Sequence, residues 1–497
     1  MRAPAGWVCV NVRSAFNQTL MVILINVPAI SFGLALGWVS LASGEAGSAD
    51  GGKQDESGAV IAAVIMFVAC FIGVPLSAKA ITYGRKIAVI AASACFVVCW
   101  SFKLISLKGS GWWLVAGRVA AGLGGAAAWA LAPLLAREMC SAKWRGAAVS
   151  ALPLAHNVGV LLMYLAADAK LHLRTVMWWC LGLSVGHLFI FMLVPESPSF
   201  LAAKGKDEEA RMSLAWLRGQ PVHAPELDAE LKTLPPAETH DQSSLALVKE
   251  MWRDRQRRVA LIIGGLAVVG QEACGVLAIL QYAERLFVLA REGSSGSGMQ
   301  IATPARLALL VGAAQLAASA LSLYLVERLG RRPLIVWCAW LAGGALAAAA
   351  AALWWQQPEG AALAIALAVA ADAAGLQPAP YALLADMFHY EYRGCALMLV
   401  TVAACAGNAL EVGVFPAVVA RGGVAAALTL AAMLTSLYAV FATCAVPETR
   451  LKTPEEIYQE LCPERMSVVQ GTCDSVKVNS DLDCRTIESK QTMCTRF

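Results

Sequence analysis

The chain has 497 residues, 58% of them hydrophobic and only 15% charged, with a net charge of +4. Soluble domains carry about a quarter charged residues, and a water-soluble protein of this size has no way to hide so much apolar surface. The small net charge argues against a nucleic-acid partner. The fifteen cysteines, mostly single residues inside apolar runs such as Cys70, Cys95, Cys99 and Cys338, show neither metal-ligand spacing nor a disulfide framework. No metal and no cofactor is expected.

A bilayer core is crossed by about 20 apolar residues in a helix. Uncharged runs of that kind cover 19–44, 58–78, 119–136, 146–167, 175–195, 307–326, 333–358 and 422–447, with a shorter one at 87–102. Three more are each interrupted by one acid: 259–283 by Glu272, 360–385 by Asp372 and 394–420 by Glu411. The run from Thr19 is longer than the core of a signal peptide, so the first helix is expected to be retained. The reading is an all-α membrane protein of about twelve transmembrane helices. Six precede a polar stretch, 196–258, and six follow it, which suggests two similar six-helix bundles with a cavity between them.

The expected organisation is a cytoplasmic amino terminus (1–17), a first bundle (18–195), cytoplasmic linker helices (196–257), a second bundle (258–447) and a cytoplasmic tail (448–497), disordered after 461. Helical patterns in the linker cover 206–217 and 225–234. Basic residues near helix ends set orientation. With both termini cytoplasmic, the inner loops hold Arg85 and Lys86, Arg137, Lys143 and Arg145, and Arg328, Arg331 and Arg332. Lys103, Lys108, Lys170 and Arg174 fall in outer loops and weaken this bias without reversing it. The run 293–298 reads as a flexible outer loop, and the tail cysteines Cys462, Cys473, Cys484 and Cys494 read as ordinary thiols. Localisation in the plasma membrane, with the lipid bilayer as surroundings and a monomeric state, completes this picture.

Repetition is the strongest signal. Gly84-Arg85-Lys86 follows the second span, and Glu327-Arg328-Leu329-Gly330-Arg331-Arg332 follows the eighth, its equivalent in the second half. Glu138 lies seven residues before Arg145 after span four, and Asp386 seven before Arg393 after span ten. Pro195-Glu196-Ser197-Pro198 and Pro447-Glu448-Thr449 close the two halves. Arginine's planar fork binds a carboxylate or helix-end carbonyls with two hydrogen bonds. These residues are therefore expected to form a cytoplasmic gate that staples inner helix ends while the cavity opens outward, and breaks when the halves rock inward.

Here the chain resembles the sugar porters of the major facilitator superfamily, over roughly residues 16–461. Besides the repeated motifs, the likeness rests on Gly117-Arg118 with Gly122 and Gly124, on Pro195 to Leu201, on Ala210-Arg211 through Leu217-Arg218-Gly219, and on Val446 to Thr453. The segment Phe32-Gly33 to Gly37-Trp38 looks most like the insect trehalose-transporter branch. The resemblance implies a central sugar site between two bundles and a helical cytoplasmic domain. Gln271, Tyr282, Tyr381 and Asn408 match family positions used for sugar binding or the outer gate.

The residues support a polar site there. Gln271, Gly275 and Tyr282 fall at spacings of four and seven, on one face of a continuous helix. An amide offers two donors and an acceptor to hydroxyls, and glycine admits a close ligand. Gly375, Pro378 and Pro380 loosen span ten before Tyr381. The family pattern is nonetheless altered: Glu272 stands for a second glutamine, Leu277 for an asparagine, Pro153 for a glutamine and Tyr381 for a tryptophan, with Cys405 near another tryptophan's place. Ile81 and Leu135 replace an inner-loop aspartate and a tyrosine. These losses argue against ordinary hexose recognition. Carboxylates within membrane spans are functional candidates. Glu272, Glu411 and Asp372 either couple protons or bind a cationic solute, or else pair with Arg118, Arg285 or Arg421 or face the wet vestibule. His156 reads as a satisfied core histidine, and the small-residue runs 122–128 and 345–352 as close helix packing.

The expected function is transport of a sugar or related small polar solute, with trehalose or a hexose foremost. The expected mechanism is facilitative alternating access. A proton-coupled symporter and a non-transporting solute sensor are the alternatives. No cluster of acid, histidine and serine suggests an enzyme.

Overall fold

The computed structural model describes residues 5–46, 56–107, 111–233, 244–292 and 302–461. Hydrocarbon offers no partner for a backbone N–H or C=O, so a crossing segment bonds its own backbone as helix. Spans one to six are Ala5–Ala46, Glu56–Tyr83, Arg85–Ser106, Trp112–Met139, Ala142–Asp168 and Leu173–Leu193. Span eight is Pro304–Leu329 and span nine Arg331–Trp354. The helix Tyr390–Ala445 would be about 84 Å long if straight, nearly three bilayer cores. It is broken at Gly423 (φ 77°, ψ 174°) and so supplies spans eleven and twelve.

Two spans are interrupted. Span seven runs Arg255–Glu272, stops, and resumes as Val276–Gln281. Span ten runs Pro358–Ala371, widens into a π-helical turn over Asp372–Leu376, and ends as Ala379–Asp386. The Gln377 N–H bonds the Asp372 carbonyl at 2.9 Å across that wide turn, and Pro378 and Pro380 supply no donors. Span seven is therefore not one continuous helix, and the common face inferred for Gln271, Gly275 and Tyr282 does not exist. Gly275 sits in the break with φ 85°, a conformation that disfavours any side chain.

Small residues set the helix spacing. A Cβ on Gly33 would lie 2.0 Å from the His156 carbonyl oxygen, and one on Gly159 would lie 2.2 Å from that of Ile30. Spans one and five thus touch backbone to backbone. The two halves meet along spans two and eleven and along spans five and eight. Asn157 donates to Ser319 there, and further out Tyr164 donates to the Leu280 carbonyl. Arg306 approaches Asp168 at 3.5 Å where span eight begins and span five ends. Tryptophans stand exposed close to helix ends, among them Trp112, Trp179, Trp337, Trp354 and Trp355. That is the placement of an interfacial aromatic belt.

Among the described residues the linker contains four short helices, Pro198–Ala203, Asp207–Arg218, Pro225–Thr233 and Ser244–Arg253, two more than the sequence pattern indicates. The second docks under the first bundle. Asn17 donates to the Trp216 carbonyl (2.6 Å), Ser213 to that of Glu196 (2.6 Å), and Arg218 to that of Met139 (3.2 Å). The fourth docks under the second bundle, where Glu250 accepts from Tyr392 and from Arg257. Those bonds, the tyrosine's first, hold the Glu250 carboxyl below its ordinary value. A further helix, Pro454–Leu461, begins the tail. The first helix already starts at Ala5, within the stretch assigned above to the amino terminus. The 293–298 loop and the tail cysteines lie outside the described residues.

Close packing predicts unequal tolerance of extra atoms. Gly159→Ala places its methyl 2.2 Å from a backbone oxygen, whereas a Cβ on Gly186 meets nothing within 4 Å. Overpacking costs about 1–3 kcal/mol. Gly159→Ala should lower the melting temperature of the purified protein by several degrees, and Gly186→Ala should leave it unchanged or raised. Equal melting of the two variants would contradict the spacing.

Candidate functional site

The break in span seven faces the loosened part of span ten and the middle of span eleven. Stopping a helix inside a membrane leaves backbone donors and acceptors unpaired. Glu411, on span eleven, accepts from the Ala278 N–H at 2.8 Å and so caps the short helix Val276–Gln281. Thr435 donates to the freed Cys274 carbonyl at 3.2 Å. Both contacts follow from the break itself.

Polar side chains gather beside it. Asp372 is buried and accepts from Gln271 Nε2 (3.3 Å) and Gln377 Nε2 (2.9 Å). Glu272 accepts from the Tyr381 hydroxyl at 3.5 Å, a long contact, and stands against the Asn408 side chain. The structure thus brings Gln271, Glu272, Tyr381, Asn408, Asp372 and Glu411 into one cluster. Gln377, which no spacing argument picked out, belongs to it as well. Only its place next to a proline-rich break hinted at that role. Tyr282 lies further outward, its hydroxyl 3.4 Å from the Val412 carbonyl and its ring stacked on Phe415.

The acids do not pair with Arg118, one of the partners considered for them. Arg118 is buried in the opposite half, donating to the Ala35 carbonyl (2.9 Å) with its guanidinium over Trp38 (5.2 Å). Lys103, expected in an outer loop, is instead fully buried inside span three, its Nζ over Trp38 (4.6 Å) and Trp100 (4.3 Å). Its ammonium turns inward to two electron-rich ring faces rather than outward to water. His156 packs between Phe32 and Trp129 as a core side chain.

The charged clusters expected to form a gate are built twice on one plan. In the first half, Arg85 grips Glu138 with Nη2 at 3.0 Å and Nε at 3.2 Å, and Ser197 also donates to Glu138. Glu196 accepts from the Lys86 backbone N–H at 2.9 Å, while the Lys86 ammonium bonds the Met192 carbonyl (2.6 Å). In the second half, Arg331 lies 3.0 Å from Asp386, to which Thr449 donates at 3.1 Å. Glu448 accepts from the backbone of Arg331 and Arg332, each at 3.2 Å, and the Arg332 side chain donates to the Thr443 carbonyl (2.9 Å). A Cβ on Gly330 would stand 2.7 Å from Glu448 Oε2, so the carboxylate cradle needs glycine.

Each of these contacts joins helices of the same half. Their residues come from one loop and the inner ends of two later helices in a single bundle, so they stiffen a half and do not latch one half to the other. Arg393 bonds the Phe388 carbonyl (3.3 Å) rather than Asp386. The side chains of Arg145 and Glu327 lie outside the described residues.

Comparison with known proteins agrees with this architecture. The family described as "Sugar (and other) transporter" matches residues 40–461. The chain is 26% identical over 428 residues to a facilitated trehalose transporter of Culex quinquefasciatus, covering 84% of this chain and 80% of that protein. It is 26% identical over 396 residues to a probable metabolite transport protein of Bacillus subtilis, covering 76% and 80%. The inward-open xylose transporter of E. coli superposes with a TM-score of 0.72 at 20% identity, covering 88% of this chain and 99% of that one. The proton:xylose symporter bound to 6-bromo-6-deoxy-D-glucose gives 0.65 at 21% identity, covering 90% and 100%.

Same-half clusters predict a local effect. Glu138→Gln removes the charge facing a partly buried Arg85, a loss of about 1–3 kcal/mol. Spin-label distances between inner helix ends should broaden within the first half only. Asp386→Asn should do the same within the second half only. Broadening in both halves from either single change would refute independent stapling.

Proposed function

The chain belongs to the Sugar (and other) transporter family, and from that premise we propose that it carries a sugar or closely related small polar solute by alternating access between its two halves. Spans seven and ten carry this reading. Both are interrupted at the same depth, and their breaks are lined by Gln271, Tyr381 and Asn408. Interrupted helices at the midplane expose polar groups to a solute and bend without breaking a continuous hydrogen-bond ladder. Tyr282 and Gly275 stand on the outward side and form the outer closure. Trehalose and hexoses are the first solutes to test, because relatives carry those names.

Transport is facilitative in this reading, in the plasma membrane with both termini cytoplasmic. The basic inner loops support the orientation. Glu138 with Arg85 and Asp386 with Arg331 keep each bundle stiff, so the movement is concentrated at spans two and eleven and spans five and eight. Purified protein in liposomes should show saturable uptake of labelled trehalose or hexose, accelerated by unlabelled solute inside. Binding without such counterflow would make the protein a sensor instead.

One observation favours a second reading, proton coupling: Glu272 is a membrane carboxylate with no cation among its neighbours in the described residues. Under that reading, Glu272→Gln flattens the pH dependence of uptake. A profile unaltered by the substitution rules proton coupling through this residue out.

A further inference from the structure

Three carboxylates meet in the second half, and two of them have structural duties. Glu411 caps Val276–Gln281 through the Ala278 N–H. Asp372 receives one glutamine amide on each of its oxygens. Glu272 has no comparable task. Its contacts are the long one from Tyr381 and the Asn408 side chain. The groups around the three acids are each other, the polar side chains Gln271, Gln377, Tyr381 and Asn408, the hydroxyl of Tyr438, the thiols of Cys274 and Cys338, and backbone N–H groups of the short helix; no cation is among them in the described residues.

A second, independent observation concerns what is left unbonded. Gln271 is 7% exposed, its amide nitrogen points at Asp372, and its Oε1 has no partner. Asn408 Oδ1 and Glu411 Oε2 are likewise buried without a partner. All three are acceptors. A buried acceptor without a donor costs about 1–3 kcal/mol, and crowded carboxylates repel one another unless a proton or a cation joins them. The missing component therefore brings donors and positive charge together. An ammonium group supplies three donors and no acceptor. A sugar hydroxyl supplies one donor and no charge.

We propose that the transported solute is a hydroxylated amine, an amino sugar being its simplest form, whose ammonium is received by Glu272 and the unpartnered acceptors of Gln271, Asn408 and Glu411. The proposal rests on the transporter reading given above and specifies the class of solute for that site. It also accounts for the glutamate that stands at position 272, where the resembled family has glutamine. An amide there can bond a neutral hydroxyl but cannot neutralise an ammonium. The hydroxylated body remains with Tyr381, whose ring packs on the apolar face of a pyranose.

The test uses the full chain in lipid nanodiscs and three probes: D-glucosamine kept protonated below neutral pH, its neutral N-acetyl derivative, and D-glucose. Glucosamine should bind at least about tenfold more tightly than either neutral sugar, a difference of about 1.4 kcal/mol. In Glu272→Gln that ratio should fall to within about twofold, with the melting temperature reporting that the variant is folded. Glu272→Asp should keep part of the preference, which guards against a purely structural loss. Equal binding of glucosamine and glucose overturns the proposal, as does a preference that survives in Glu272→Gln, or no binding of glucosamine at all. Uptake of glucose in those cases leaves the transporter reading standing, and failure to take up any sugar removes that reading separately.

Discussion

Hydrocarbon gives a peptide group nothing to bond, and most of this molecule follows from that constraint. Continuous spans bond their own backbone. Interrupted spans need side chains to replace what the helix no longer supplies. Glu411 and Thr435 do so at the break in span seven, and the wide turn of span ten closes on Gln377. The polar residues at the centre of the second half are thus anchored first by the geometry of the breaks. Glu272, in contrast, caps no broken helix end.

Charge is divided between the two halves. Glu272, Asp372 and Glu411 lie in the second. Lys103 and Arg118 lie buried in the first, over the rings of Trp38 and Trp100. Each set is accommodated within its own half, by glutamines and backbone donors on one side and by aromatic faces and a carbonyl on the other. Cation–aromatic contact contributes about 2 kcal/mol or more once water is excluded. That is how a lysine and an arginine can sit at the core without a carboxylate partner.

The arginine–carboxylate clusters show the same economy. Arg85 with Glu138, and Arg331 with Asp386, repeat one arrangement in both bundles, each beside a carboxylate, Glu196 or Glu448, that caps the helix following a tight turn. Fixing the inner ends within each bundle lets a bundle move as one body. The halves meet at spans two and eleven and at spans five and eight, where Asn157 bonds Ser319 and Arg306 approaches Asp168.

Number, length and grouping of the spans were readable from hydropathy, because a bilayer imposes one length on every crossing helix. The matched Gly-Arg and Pro-Glu motifs were readable because a tight basic turn has few chemical solutions. The candidate carboxylates stood out because charge is scarce in such segments. Gly375, Pro378 and Pro380 marked the interruption of span ten, but no spacing revealed where span seven stops being a helix. Regular periodicity puts Gln271, Gly275 and Tyr282 on one face, and the turn at Gly275 separates them. The end of the uncharged run at 102 likewise put Lys103 in a loop, because Trp38, one of the two rings its ammonium faces, comes from another span and meets it only in three dimensions. Whether a staple holds one half or bridges two depends on which helix ends become neighbours, and only the packing of the bundles decides that.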